Sequence, residues 1–280
     1  MSLLVFSVVI TAALLHAIWN GLVKSQDNKL LTMTAVVIGA GFVGLVTLPF
    51  TGLPHGDSYG YLAIAIIIHI GYQMFLALAY THGDLSLVYP ISRGTAPLLV
   101  TIFSILVLGI EFSTLSMLGL GSIIFAVFCM VFSNSSDFNG NGKAIILALI
   151  TACFIASYSL IDGFGARLAG NAVSFYASLA IINGFGFIAF MAVRKPQNIK
   201  LIFISKKMVM LIGGGASFLG FALILWAFTQ TSIATVSTLR EVSIIFVMLI
   251  GVFLFKEKFG IMKMIALAFC LLGLVLLRLN

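Results

Sequence analysis

Along the chain, apolar runs of about twenty residues alternate with short polar breaks, the length needed to cross a bilayer core as one helix. Ten such runs fall at 3–24, 30–50, 59–81, 86–109, 113–133, 143–164, 171–193, 208–230, 234–255 and 260–279. Each predicts a transmembrane helix. The breaks Gln26-Asp27-Asn28-Lys29, Pro54-His55-Gly56-Asp57 and Asn139-Gly140-Asn141-Gly142 are turn-forming. The longest, 194–207, carries Arg194, Lys195, Lys200, Lys206 and Lys207 and predicts a short interfacial helix around Ile199–Ile204. The first run begins almost at Met1, with neither a charged leader nor a cleavage-site pattern, and reads as a retained helix.

Composition turns this pattern into a statement about solvent. Hydrophobic residues make up 61% of the chain and charged residues 8%, against roughly 25% charged residues in soluble domains. So few charges cannot cover a water-exposed surface, and lipid is the expected surrounding. The net charge of +7 does not point to nucleic acid. Its basic residues lie in short loops, without a basic face carrying interleaved aromatics. Eleven Lys and Arg follow runs one, five, seven and nine, whereas two, Arg167 and Arg278, fall on the opposite side. The positive-inside rule then places both termini outside the cytoplasm, in an inner or plasma membrane. Cys129, Cys153 and Cys270 all fall inside runs and read as small apolar fillers, not as disulfides or metal ligands. No cofactor is expected. The expected partners are a small-molecule solute and the lipid bilayer, with the protein a monomer or homodimer.

The chain also repeats itself. Ala79-Tyr80 and Gly83-Asp84-Leu85-Ser86-Leu87-Val88 resemble Ala227-Phe228 and Thr231-Ser232-Ile233-Ala234-Thr235-Val236. Both stretches lead into a polar-interrupted run ending near a glutamate, Glu111 or Glu257. An odd number of spans per repeat inverts the second repeat in the membrane. The expected architecture is therefore all-α: ten transmembrane helices as two inverted five-helix repeats, 1–138 and 139–280, around a central cavity.

Ionisable groups inside the runs are the sharpest functional signal, because one at the bilayer centre costs at least ~2.5–3.5 kcal/mol unless it faces a cavity or a partner. Arg93 lies in the fourth run, with Tyr89 one turn before it and Pro97 one turn after. Arg240 and Glu241 lie at comparable depth in the ninth. Two arginines suit a carboxylate, phosphate or phosphonate, which the guanidinium fork binds through two hydrogen bonds. The alternative is a structural ion pair with Glu241 or Asp162. Glu241 and Asp162 are the candidate proton carriers. Asp162 precedes Gly163 and Gly165, which places it at a helix end in water, one turn beyond Tyr158. His16 and Asn20 share a face of the first run beside Trp19. His69, Gln73 and Tyr80 share a face of the third, and Gln73 is the best cavity donor among them. Tyr176 and Asn183 share a face of the seventh run, and Trp226 and Gln230 one of the eighth. The candidate substrate-binding set is Arg93, Tyr89, Gln73, Trp19, Asn20, His16, Tyr158, Asn183, Trp226 and Arg240. Gly39, Gly41 and Gly44, with Gly213-Gly214-Gly215, read as helix-to-helix contacts. They do not precede a phosphate-binding helix, so no nucleotide loop is expected.

The stretch Leu87-Val88-Tyr89-Pro90-Ile91-Ser92-Arg93-Gly94-Thr95-Ala96-Pro97-Leu98, followed by Glu111, resembles the EamA domain of the drug/metabolite transporter superfamily. So do His16-Ala17-Ile18-Trp19-Asn20 and Glu257. The resemblance implies ten helices, a cavity open to one side at a time, and transport of amino acids, sugars, nucleotide derivatives or other small metabolites. Many relatives place both termini in the cytoplasm; the charges here predict the reverse. Together these features point to a gradient-driven transporter of a small anionic or zwitterionic metabolite, amino-acid- or phosphonate-like, and not to an enzyme. A cationic or quaternary-amine solute held by Trp19, Tyr89 or Trp226 is the competing picture. An integral-membrane enzyme acting on lipid phosphates needs its acid, base and phosphate-binding groups gathered near one interface, and here they are spread over both halves. A structural or receptor subunit would show no stabilisation by solute.

Overall fold

A computed structural model describes residues 1–26, 28–82, 85–132, 142–253 and 260–279. Among them there is no β-strand, and nearly every residue is helical. The helices are α1 (Leu3–Lys24), α2 (Lys29–Thr51), α3 (Tyr59–His82), α4 (Leu85–Leu106), α5 (Thr114–Phe132) and α6 (Gly142–Leu168). They continue with α7 (Ala172–Arg194), α8 (Pro196–Ser205), α9 (Gly214–Gln230), α10 (Ile233–Arg240), α11 (Ser243–Phe253) and α12 (Ile261–Leu279). A π-helical turn, Val209–Gly213, leads into α9. Seven segments are long and apolar enough to cross a membrane: Leu3–Val23, Leu30–Thr51, Gly56–Leu76, Gly142–Leu168, Ala172–Arg194, Val209–Gln230 and Ile261–Leu279. Ile91–Leu106 and Thr114–Cys129 are shorter apolar helices.

The polar breaks act as caps. Asn28 Oδ1 accepts from the Leu31 amide at 3.0 Å to start α2, and Asn171 Oδ1 accepts from Val173 at 2.9 Å to start α7. Gly170, at φ +71°, makes the left-handed turn out of α6 that a side chain would strain. The basic stretch after α7 holds α8, around the expected interfacial helix, and its Ile202 is fully buried.

Two expectations need correction. The run 234–255 is not one helix. After Ser232 caps α10, the amides of Glu241 and Val242 donate to Thr238 and Leu239, and those of Ile244 and Ile245 to Glu241 and Val242. Each bond spans three residues, so the helix tightens to a 3₁₀ joint at Glu241–Val242. Ser237, Thr238 and Ser243 flank that joint, and such residues hold an α-helix weakly. Second, Asp162 is not at a water-filled helix end. Its helix runs on to Leu168 and buries it to 1% exposure. Gly165 is a packing position: a Cβ there would meet Phe175 at 2.5 Å and Tyr61 at 2.9 Å.

The chain packs as two compact units. One comprises Met1–Ile10, Gly71–Leu160 and Thr231–Asn280, the other Thr11–Ile70 and Ile161–Gln230. In the first, α5 lies along α12, and α4 packs on α5 and α10. A Cβ on Gly273 would lie 2.7 Å from the Gly119 carbonyl, and Phe125 meets Phe269 edge-on at 4.6 Å. In the second, α2 lies along α7 and against α9. Gly41 faces the Ala180 carbonyl and Gly184, Gly44 faces the Ala177 carbonyl, and Gly39 abuts Gly214 and the Met210 carbonyl. In lipid no hydrophobic drive brings helices together, so this close backbone approach supplies the packing energy instead.

Adding one methyl group therefore has a different cost at neighbouring glycines. Gly214→Ala, whose Cβ would fall 2.6 Å from Gly39, is expected to destabilise the protein by about 1–3 kcal/mol. Gly215→Ala, with open space around it, should melt at or slightly above the parent temperature. Thermal unfolding of the two purified variants side by side checks this.

Candidate functional site

The buried ionisable groups gather into two clusters, one in each compact unit. The first forms at the joint between α10 and α11. Arg240 ends α10 and Glu241 follows it, while Arg93 arrives from α4. Glu241 Oε1 lies 3.3 Å from Arg93 Nη2 and 3.7 Å from Arg240 Nε. The three residues are 3%, 1% and 1% exposed in the order Arg93, Arg240, Glu241. The Arg240 guanidinium also stands 6.0 Å from the centre of the Tyr158 ring, and Tyr158 meets Tyr72 edge-on at 5.4 Å.

Local sequence accounts for this placement. Pro97 has no N–H to offer the Arg93 carbonyl one turn back, so α4 is weakened where Arg93 sits. On the other side, the 3₁₀ joint brings Arg240 and Glu241 to the same interior. The hydroxyls of Ser237, Thr238 and Ser243 are buried there without a hydrogen bond. Unsatisfied buried hydroxyls are uncommon and costly. A crevice of about 10 Å³, room for about one water, opens beside Glu241, with Cys270, Ile244 and Val127 among its walls. Among the described residues the cluster sets two guanidiniums against one carboxylate, a net charge of +1.

The second cluster centres on Phe221 of α9. His69 Nε2 on α3 lies 2.9 Å from Asp162 Oδ2 on α6, and both residues are buried. The Phe221 ring meets those of His69 at 6.2 Å and His16 at 5.3 Å, and stacks on Tyr176 at 5.4 Å. Trp19 donates its indole N–H to His16 Nδ1 at 3.2 Å. Asn20 turns its amide onto its own helix, donating to the His16 carbonyl at 2.7 Å.

Of the residues singled out from sequence, Arg93, Arg240, Glu241 and Tyr158 thus meet in one cluster, and His16, Trp19, Asn20 and Asp162 belong to the other. Gln73 sits on α3 with its Oε1 buried and unbonded. Asn183 is buried on α7 and Trp226 half-buried on α9. Neither makes a hydrogen bond or ring contact with either cluster among the described residues. The Tyr89 side chain and Glu257 lie outside the described residues. Sequence reasoning left His69, Tyr72, Phe221 and the hydroxyls of Ser237, Thr238 and Ser243 out of the site. For the hydroxyls a signal existed: a dense Ser/Thr run around a charged pair at bilayer depth.

Comparison with known proteins narrows the class. The profile of the EamA-like transporter family matches residues 142–279. A crystal structure titled only "Crystal structure of protein" superposes with a TM-score of 0.78 at 16% identity. That match covers 100% of this chain and 98% of the other, so the two share a fold. No curated protein matches the chain. Members of the matched family are transporters rather than enzymes, and the apolar helices agree with that setting. Residues 142–279 thus match the EamA-like transporter family of the drug/metabolite transporter superfamily, in a chain whose apolar helices make it a multi-pass membrane protein.

Proposed function

We propose that the protein is a gradient-driven transporter of a small anionic or zwitterionic metabolite, whose acid group binds Arg93 and Arg240. The observation that carries this reading is the meeting of both arginines on Glu241 beside three buried, unbonded hydroxyls. A carboxylate or phosphonate offers the same oxygens as Glu241 and more of them. It could replace Glu241 as counter-ion and accept from Ser237, Thr238 and Ser243 as well. Glu241 is then the resident ligand, holding the site together until a solute displaces it. If Glu241 takes a proton as it leaves, the charge of the cluster is the same before and after.

The reading includes two inverted five-helix repeats, 1–138 and 139–280, moving by alternating access. Helix pairing supports the repeat: α2 packs on α7, α4 on α10 and α5 on α12, each joining a helix of one half to the element in the corresponding place of the other. The Lys and Arg bias supports an inner or plasma membrane with both termini outside the cytoplasm. A small-molecule solute and lipid remain the expected partners, with a monomer or homodimer as the functional form. The aromatic residues around Asp162 favour one second reading, a quaternary-amine solute.

A thermal-shift screen of the purified protein against small carboxylates, phosphonates and quaternary amines separates the two, since a ligand of the folded state raises the melting temperature. An acidic compound should stabilise the parent protein, and Arg93→Lys or Arg240→Lys should weaken its binding about ten- to hundredfold. Stabilisation by amines alone, indifferent to Arg93→Lys, overturns the anion reading. Glu241→Gln removes the carboxylate that both buried guanidiniums face and should destabilise the solute-free protein by about 3–5 kcal/mol. The same acidic compound should rescue this variant by more than it stabilises the parent.

A further inference from the structure

The second cluster holds a buried carboxylate with a different kind of partner. Of the eight acidic residues in the chain, Asp162 and Glu241 are the two buried among the described residues. Glu241 faces arginines, which keep their protons throughout the physiological range. Asp162 faces His69, whose imidazole has two ring nitrogens and can hold one proton or two. The two are 93 residues apart in sequence, and their side chains meet at 2.9 Å. Asp162 Oδ1 is buried with no hydrogen bond, leaving acceptor capacity unused.

We infer that the His69–Asp162 pair is a proton-binding site. With neutral imidazole and ionised carboxylate the pair carries a charge of −1. One proton taken from water onto the ring converts it to imidazolium and carboxylate, with zero net charge. The pair alternates between these two states by exchanging that one proton, with no other reactant. His16 reaches the same Phe221 ring from α1, and Tyr176 stacks on it from α7. Helix α9 has no acidic or basic residue between Gly214 and Gln230. Arg167, on the later turns of α6, donates its Nε–H to the Phe228 carbonyl at 2.9 Å. No described arginine or lysine is thus paired with Asp162, and His69 is its ionic partner. Proton coupling of solute movement by this pair rests on the transporter reading, whereas proton binding itself does not.

The test needs no solute. The full chain carrying His55→Gln and His82→Gln, which removes the two histidines outside the cluster, is labelled with ¹⁵N-histidine and reconstituted in lipid nanodiscs. Ring nitrogen shifts of His16 and His69 are followed from pH 5 to pH 8. One histidine should titrate within that range, and Asp162→Asn should move its midpoint by about one pH unit or more. The exchanged variant His69→Asp/Asp162→His keeps the pair and should titrate again, which covers the case in which Asp162→Asn does not fold. Two histidines that each hold one protonation state from pH 5 to pH 8, or a midpoint indifferent to Asp162→Asn, would falsify the inference. Neither result touches the arginine site, and failure to find an acidic solute leaves the proton titration standing.

Discussion

The charge cluster of Arg93, Glu241 and Arg240 constrains the structure most, because it is the least comfortable object to place inside a bilayer. Desolvating three ions costs several kcal/mol each, and their mutual attraction recovers this only if the geometry holds. Here the geometry is loose. The two ion-pair distances are 3.3 and 3.7 Å, and the carboxylate oxygens make no hydrogen bond. A purely structural lock would gain from shorter, bonded contacts, and replacing the ions by apolar side chains would serve stability as well. Loose pairing and unbonded hydroxyls support the proposal of a place where one anion is exchanged for another.

The rest of each unit tolerates this cost through packing that depends on shape and not on charge. Glycines at 39, 41, 44 and 214 in one unit and at 119 and 273 in the other allow helix backbones to touch. Large apolar side chains such as Phe50 and Val193 are then left on the outside, at 87% and 83% exposure, where lipid is the natural neighbour.

Helix positions were legible in the sequence because each is a continuous apolar run between turn-forming residues. The expected 3–24 and 260–279 differ from α1 and α12 by at most a residue at either end. The arginines and Glu241 were legible as candidates because their burial is expensive wherever they point, and the structure brings them together. The joint at Glu241 was not, since 234–255 scans as one apolar run and only its hydroxyl density hints at a break. The partnership of His69 with Asp162 was out of reach, because it joins α3 to α6 across 93 residues and no local spacing encodes it. Gly163 and Gly165 misled for a related reason: near the end of a run, glycine reads as a terminator, whereas here Gly165 makes room for Phe175.

The tightened turn between α10 and α11 has a mechanical consequence. A 3₁₀ segment rises about 2.0 Å per residue and an α-helix about 1.5 Å. Recoiling the two residues of the joint from the first form to the second would shorten this span by about 1 Å. That is a sizeable part of the 3.3 Å now separating the Glu241 carboxylate from Arg93. A change in local winding, without any swing of a loop, thus alters where the carboxylate stands relative to that arginine, and the length for it is already wound into the chain.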